Sequence, residues 1–140
     1  MSIVVDSSVI VAALLSTNDV GAWAEQVVGE ESIFAPELIC VEVNNILRRL
    51  ERAKELSEQE ANAAYADFME LGLHLHPFEP FAQRVWELRH NVTSYDAWYV
   101  ALAESLDLPL ATLDIRLAGA TGPSCRFVTP SGVTRVQDRG

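Results

Sequence analysis

Four acids stand along the 140-residue chain at places where an acid is costly: Asp6, Glu42, Asp96 and Asp114. Asp6 ends the short apolar run Ile3-Val4-Val5 and is followed by two hydroxyls, Ser7 and Ser8. Glu42 has Leu38 and Ile46 as its i−4 and i+4 neighbours, which places it on or beside the apolar stripe of a helix. Asp96 follows Thr93 in the pattern of a capping box. Asp114 comes two residues after Thr112, at the end of another apolar run. Each acid also has an ordinary reading: Glu42 paired with Arg49 or Asn45, Asp96 finishing a helix start, Asp114 making a turn.

Taken together, the four point to a different chemistry. Clustered carboxylates repel and raise one another's pKa values. A divalent cation relieves that repulsion, and an all-oxygen donor set selects Mg²⁺ or Mn²⁺ over Zn²⁺. Such sites serve phosphoryl chemistry, with a metal-activated water as nucleophile. Ser8 and Thr112 lie two residues from Asp6 and Asp114 and could hold those carboxylates by hydrogen bonds. Other chemistries find less support. His74 and His76 alternate on a strand-like segment, but no Cys or third His nearby completes a zinc site. No Gly-rich phosphate loop occurs, and Ser7 and Ser8 lack a nucleophile-elbow context.

The elements that must position these acids read as alternating strands and helices. Residues 2–6, 32–35, 73–76, 109–113 and 126–129 have the β-branched and aromatic character of strands. Between them lie short helices over 9–15 and 20–28 and a helix opened by Pro36. Ser57 and Glu60 form a capping box for a helix that Gly72 closes. Pro80 opens another, carrying Val85, Trp86 and Leu88, and a last one runs from about Tyr95 to Leu106. The alternation predicts a parallel sheet with helices on both faces, whose sites form at the carboxyl ends of the strands. Asp6 and Asp114 fall at that edge. Ala97, Val100, Ala101 and Ala103 are small enough to let their helix lie close to the sheet.

Length and composition fit a single globular domain over residues 1–140, with 49% hydrophobic and 21% charged residues. No apolar run is long enough for a membrane span, no signal peptide is read, and Cys40 and Cys125 are expected as reduced thiols in a cytoplasmic protein. The net charge of −10 argues against a nucleic-acid partner at first sight. The cations are nevertheless grouped. Arg48, Arg49, Arg52 and Lys54 fall together, and from Arg116 onward four arginines face one acid, Asp138. Arg116 and Arg49 are the candidates to engage phosphates at the rim of the acidic site. Trp23, Trp86 and Trp98 are expected in the core or an interface. Val20, Trp23 and Val27 look like an exposed apolar face on the early helices.

Three stretches, "IVVDSSVIVAALL", "APELICVEVNNILRRL" and "TSYDAWYVALAESLDLPLATLDIRLA", resemble the PIN-domain family, and more narrowly the VapC-type toxins of bacterial toxin–antitoxin pairs. The resemblance implies a three-layer α/β/α fold with a central, mainly parallel sheet of about five strands. It implies a Mg²⁺- or Mn²⁺-dependent endoribonuclease whose catalytic and metal-binding quartet is Asp6, Glu42, Asp96 and Asp114, attended by Ser8 and Thr112. It further implies a homodimer, an RNA substrate and a cognate antitoxin. Two other classes compete: an Asp-based phosphotransfer protein and a PIN-like binding module without catalysis. The first wants a second acid beside Asp6 or a late Lys, and the only Lys is Lys54. The second predicts a broken quartet.

Overall fold

The computed structural model describes residues 1–30 and 32–134. Arg135, Asp138 and Arg139 of the late basic stretch lie outside the described residues. The order is β1 (Ser2–Val5), α1 (Ser7–Leu15), α2 (Asp19–Val28), β2 (Ser32–Pro36), α3 (Leu38–Arg52), α4 (Glu58–Met69) and β3 (His74–His76). A single 3₁₀ turn at Glu79–Phe81 then leads into α5 (Ala82–Glu87), α6 (Ser94–Leu106), β4 (Leu110–Ala111), α7 (Ile115–Ala118), β5 (Phe127–Thr129) and β6 (Gly132–Thr134). The expected mainly parallel α/β sheet is present with six strands rather than about five, in the order β3-β2-β1-β4-β5-β6. Among the described residues only the β5–β6 pair is antiparallel.

That order decides where helices lie. The chain steps from β1 to β2 to β3 in one direction, then returns past β1 to β4 and β5. Right-handed crossovers place α1–α4 on one face of the sheet and α5–α7 on the other. The contacts agree: α1 packs on α2, α3 and α4, and α5 packs on α6. The reversal between β1 and β4 opens a crevice at their carboxyl ends, the usual ligand position in such sheets.

The core follows the sequence pattern. Val4, Val5, Val9, Ile10, Ile39, Val43, Leu102, Leu110 and Phe127 are fully buried. Ala97, Val100, Ala101 and Ala103 are buried too, and α6 lies directly on β1, β2 and β4. Several local expectations are corrected. Pro36 ends β2 opposite His76 instead of opening α3, and the amide of Glu37 takes up the ladder by donating to His76 O at 2.9 Å. A proline tolerates that place because the strand stops there. Pro80 sits in the 3₁₀ turn, with α5 starting after it. Gly72 lies just beyond the end of α4 with φ 69°, while Glu70 is the capping position. The sixth strand lies beyond the five expected ones, and Pro130 and Ser131 form the two-residue turn between Thr129 and Gly132 that leads into it.

Val20 and Trp23 are half-buried against the core and Val27 is buried, so they form the seam between α2 and the rest, not an exposed face. Trp86, by contrast, is 66% exposed, with the Arg89 guanidinium 4.1 Å from its ring centroid. Trp98 is half-buried edge-on to Phe78. Cys40 is half-buried and Cys125 is buried. His74 and His76 both lie against the Phe34 ring.

The close approach of α1 and α2 rests on Gly21. Its amide donates to the capping side chain of Asn18 at 3.0 Å, and a Cβ there would lie 2.1 Å from the Ser16 carbonyl oxygen. Gly21→Ala is therefore expected to destabilise the fold by roughly 1–3 kcal/mol through overpacking. Chemical denaturation of the two proteins checks this; equal midpoints would show that the helix pair can separate without cost.

Candidate active site

The turn after β1 delivers Asp6 to the crevice. Its amide donates to Ala111 O of β4 at 3.2 Å, and its carboxylate caps α1 by accepting from Val9 N at 3.3 Å. Ser8 Oγ donates to Asp6 Oδ1 at 2.5 Å, and Thr112 Oγ1 donates to the other oxygen, Oδ2. Both hydroxyls thus hold the one carboxylate, and neither donates to the Asp114 side chain. They bind the β4 loop in turn: Leu113 N donates to Ser8 Oγ at 3.1 Å and Asp114 N to Thr112 Oγ1 at 2.9 Å. Asp114 caps the short α7, its Oδ1 accepting from Arg116 N at 3.0 Å and Leu117 N at 3.1 Å. The turn reading of Asp114 therefore holds alongside its place at the site.

Glu42 comes in from α3, on the other side of the sheet edge from α6. Its partner is neither Arg49 nor Asn45 but Tyr99 of α6, whose hydroxyl donates to Oε1 at 2.5 Å. Tyr99 is 2% exposed. Burial, and then the carboxylate beside it, raise its pKa above the usual phenol range, so it stays a donor. Asp96 stands in the first turn of α6, where its amide donates to Thr93 Oγ1 at 3.1 Å, as the capping pattern predicts.

The electrostatics join the four acids. Asp6 is 8% exposed, and burial pushes its carboxyl up to about 6 against the hydrogen bonds from Ser8, Thr112 and Val9; Asp96 pushes it further. Glu42 is raised by burial, opposed by Tyr99, and raised again by Asp96. Asp96 is raised by burial and by Asp114. None of the ion pairs among the described residues reaches any of the four. Arg116 shares a cleft with Asp96 and Asp114, whereas Arg49 is exposed on α3 and no described bond ties it to the acids.

A hard divalent cation fits the chemistry of this donor set: oxygens only, partly desolvated, mutually repelling and without a basic partner. Among the described residues no three His, Cys, Asp or Glu side chains are already gathered closely enough to hold a metal ion. Small side-chain movements or bridging waters would have to complete a coordination shell, which suits an ion that keeps several of its waters.

Sequence reasoning passed over Tyr99 and Ser7, whose side chain also hydrogen-bonds Glu42. The signal for Tyr99 was available: a phenol three residues after Asp96, on a helix face otherwise built from alanine, valine and leucine.

The PIN-domain model matches residues 3–122. The curated protein Ribonuclease VapC1 of Mycobacterium tuberculosis (strain ATCC 25618 / H37Rv) is 42% identical over 125 residues, covering 89% of this chain and 94% of that protein. VapC ribonuclease Mb0985 of Mycobacterium bovis is 36% identical over 123 residues, covering 88% of this chain and 94% of that one. Among solved structures, PAE2754 from Pyrobaculum aerophilum superposes with a TM-score of 0.64 at 22% identity, covering 84% of this chain and 83% of its own. The chain belongs to the PIN-domain family, in its VapC group.

The raised carboxyl of Asp6 has a consequence for stability. A carboxyl whose folded pKa exceeds its unfolded value binds its proton more tightly in the native state. Its contribution is fully present below the unfolded value of 3.8 and is lost as the pH rises toward about 6, on the order of 3 kcal/mol in all. The metal-free protein is expected to lose stability across that window, and Asp6→Asn to flatten the loss and be the more stable protein at neutral pH. Thermal melts at a series of pH values in chelator decide it; parallel curves for the two proteins would contradict the assignment.

Proposed function

We propose that the protein is a Mg²⁺- or Mn²⁺-dependent endoribonuclease, the toxin of a toxin–antitoxin pair, acting in the cytoplasm. The observation that carries the reading is that Asp96 interacts electrostatically with each of Asp6, Glu42 and Asp114, while no ion pair among the described residues neutralises any of the four. The names of the curated relatives, ribonucleases at 36–42% identity over most of their length, support the same reaction class.

In this reading Asp6, Glu42, Asp96 and Asp114 hold the cation. When bound, it supplies Lewis acidity toward a phosphoryl oxygen and lowers the pKa of a coordinated water. The chain's own residues do the rest. Ser8 and Thr112 fix both oxygens of Asp6, so the carboxylate is oriented before anything binds. Tyr99 and Ser7 hold the Glu42 carboxylate by hydrogen bonds, so it too is oriented before anything binds. Arg116, at the rim beside Asp114, engages a phosphate next to the reacting one. A chain of net charge −10 can hold RNA in this way, because the charge at the site is reversed locally while the rim is basic.

Family membership supports a cognate antitoxin and a homodimer. No helix among the described residues is long and apolar enough to cross a membrane. The reading is tested by incubating the purified protein with single-stranded RNA and Mn²⁺ or Mg²⁺. Cleavage is expected with metal, is expected to stop in excess chelator, and is expected to fall at least about a hundredfold in Asp6→Asn. Cleavage that persists in chelator, or at the wild-type rate in Asp6→Asn, would overturn it.

A further inference from the structure

Beside the acids lies a cleft of about 540 Å³, open along the start of α6. Asp96 and Asp114 line it, and Arg116, Asn91, Thr93 and Thr121 supply the other polar side chains. The loop that follows α7, from Gly119 to Thr121, forms part of its wall. The size lies within the range of small-ligand pockets, about 300–1,000 Å³, and suits a single nucleotide rather than a duplex.

The far end of that wall is clasped by residues that touch none of the four acids. Arg84 of α5 donates from Nε to Glu104 Oε1 at 2.7 Å and from Nη2 to Glu104 Oε2 at 3.1 Å. The same Nη2 donates to Gly122 O at 3.1 Å, and Ser124 N donates to Glu104 Oε2 at 2.6 Å. Forked arginine–carboxylate pairs of this kind are stronger and more directional than single contacts, and this one is partly shielded, with Glu104 only 15% exposed. Gly122 adds a second fastening. Its φ is +105°, a conformation that favours glycine, and a Cβ there would lie 2.6 Å from Asn91 Nδ2, so a larger residue would strain the loop and displace the Asn91 side chain. Three separated segments are thus locked where the wall of the cleft ends.

Resting on the ribonuclease reading, we propose that this cleft receives the RNA nucleotide adjoining the scissile phosphate, and that Arg84 and Glu104 are positioning residues that hold its wall at the width the strand requires. The chemistry of the lining fits a single strand. A guanidinium meets phosphate, while short amide and hydroxyl side chains meet base edges and the ribose 2′-hydroxyl.

The test uses the full chain with Mn²⁺ and short single-stranded RNAs, comparing wild type with Arg84→Ala, Glu104→Gln and Gly122→Ala. KM, kcat, the position of the cut and the melting temperature are measured. RNA affinity is measured separately in an Asp6→Asn background. Arg84→Ala is expected to raise KM and weaken affinity about tenfold, with kcat within about twofold, and to change which nucleotide is preferred beside the cut. Gly122→Ala should act in the same direction with the Arg84–Glu104 pair intact. Glu104→Gln keeps the acceptor atoms and should do less, which preserves the test if Arg84→Ala does not fold. A lower melting temperature with unchanged KM, affinity and cut position would mean the clasp is structural only and would overturn the inference. Wild type that cleaves while the variants match it removes this inference alone; wild type that cleaves no RNA removes the ribonuclease reading and this with it.

Discussion

One carboxylate, Asp6, organises the edge of the sheet. Its two oxygens are held by Ser8 from its own turn and by Thr112 from the loop after β4. Those same hydroxyls accept the amides of Leu113 and Asp114. A chain of hydrogen bonds therefore runs from the end of β1 to the residue that caps α7. Breaking it would leave a buried charge unpartnered and release the loop carrying Asp114. The arrangement is kept at a cost, because the buried carboxyl is raised to about 6 and weighs against stability at neutral pH. The cation proposed above would offset that cost, because it favours the charged form of the carboxyl.

Topology explains why that edge was available. Strand order reverses between β1 and β4, so the helices before and after the reversal lie on opposite faces and leave a crevice between them. Glu42 enters from one layer and Asp96 from the other. The Tyr99–Glu42 hydrogen bond ties the two layers over the carboxyl ends of the strands. The small residues of α6 contribute by letting that helix lie close to the sheet, which brings Tyr99 within reach of α3.

Much of this was legible in the residues. The alternation of strand and helix patterns located β1 through β5, and the placement of Asp6 and Asp114 at strand ends required only that the sheet be parallel. The capping pattern of Thr93 and Asp96 located the start of α6. Other features depend on contacts that no local pattern carries. Glu42 has a polar neighbour at i+7, Arg49, yet its partner lies 57 residues away on α6. Ser8 and Thr112 were paired by spacing with the nearest acid each, whereas geometry sends both to Asp6. The proline at the end of β2 was misread because proline ends strands as readily as it opens helices. Val20 and Trp23 looked exposed because the partner surface, α1, is an apolar helix whose own burial no short window reveals.

The central claim is the proposal that Asp6, oriented by Ser8 and Thr112 at the buried edge of the sheet, is a ligand of the cation. Calorimetric titration of Mn²⁺ near pH 6, in two buffers of different ionisation enthalpy, tests it most directly. Binding is expected to release protons, the release to fade by about pH 8, and both the release and most of the affinity to disappear in Asp6→Asn. Equal Mn²⁺ affinity in the two proteins, with no proton release near pH 6, would contradict the account.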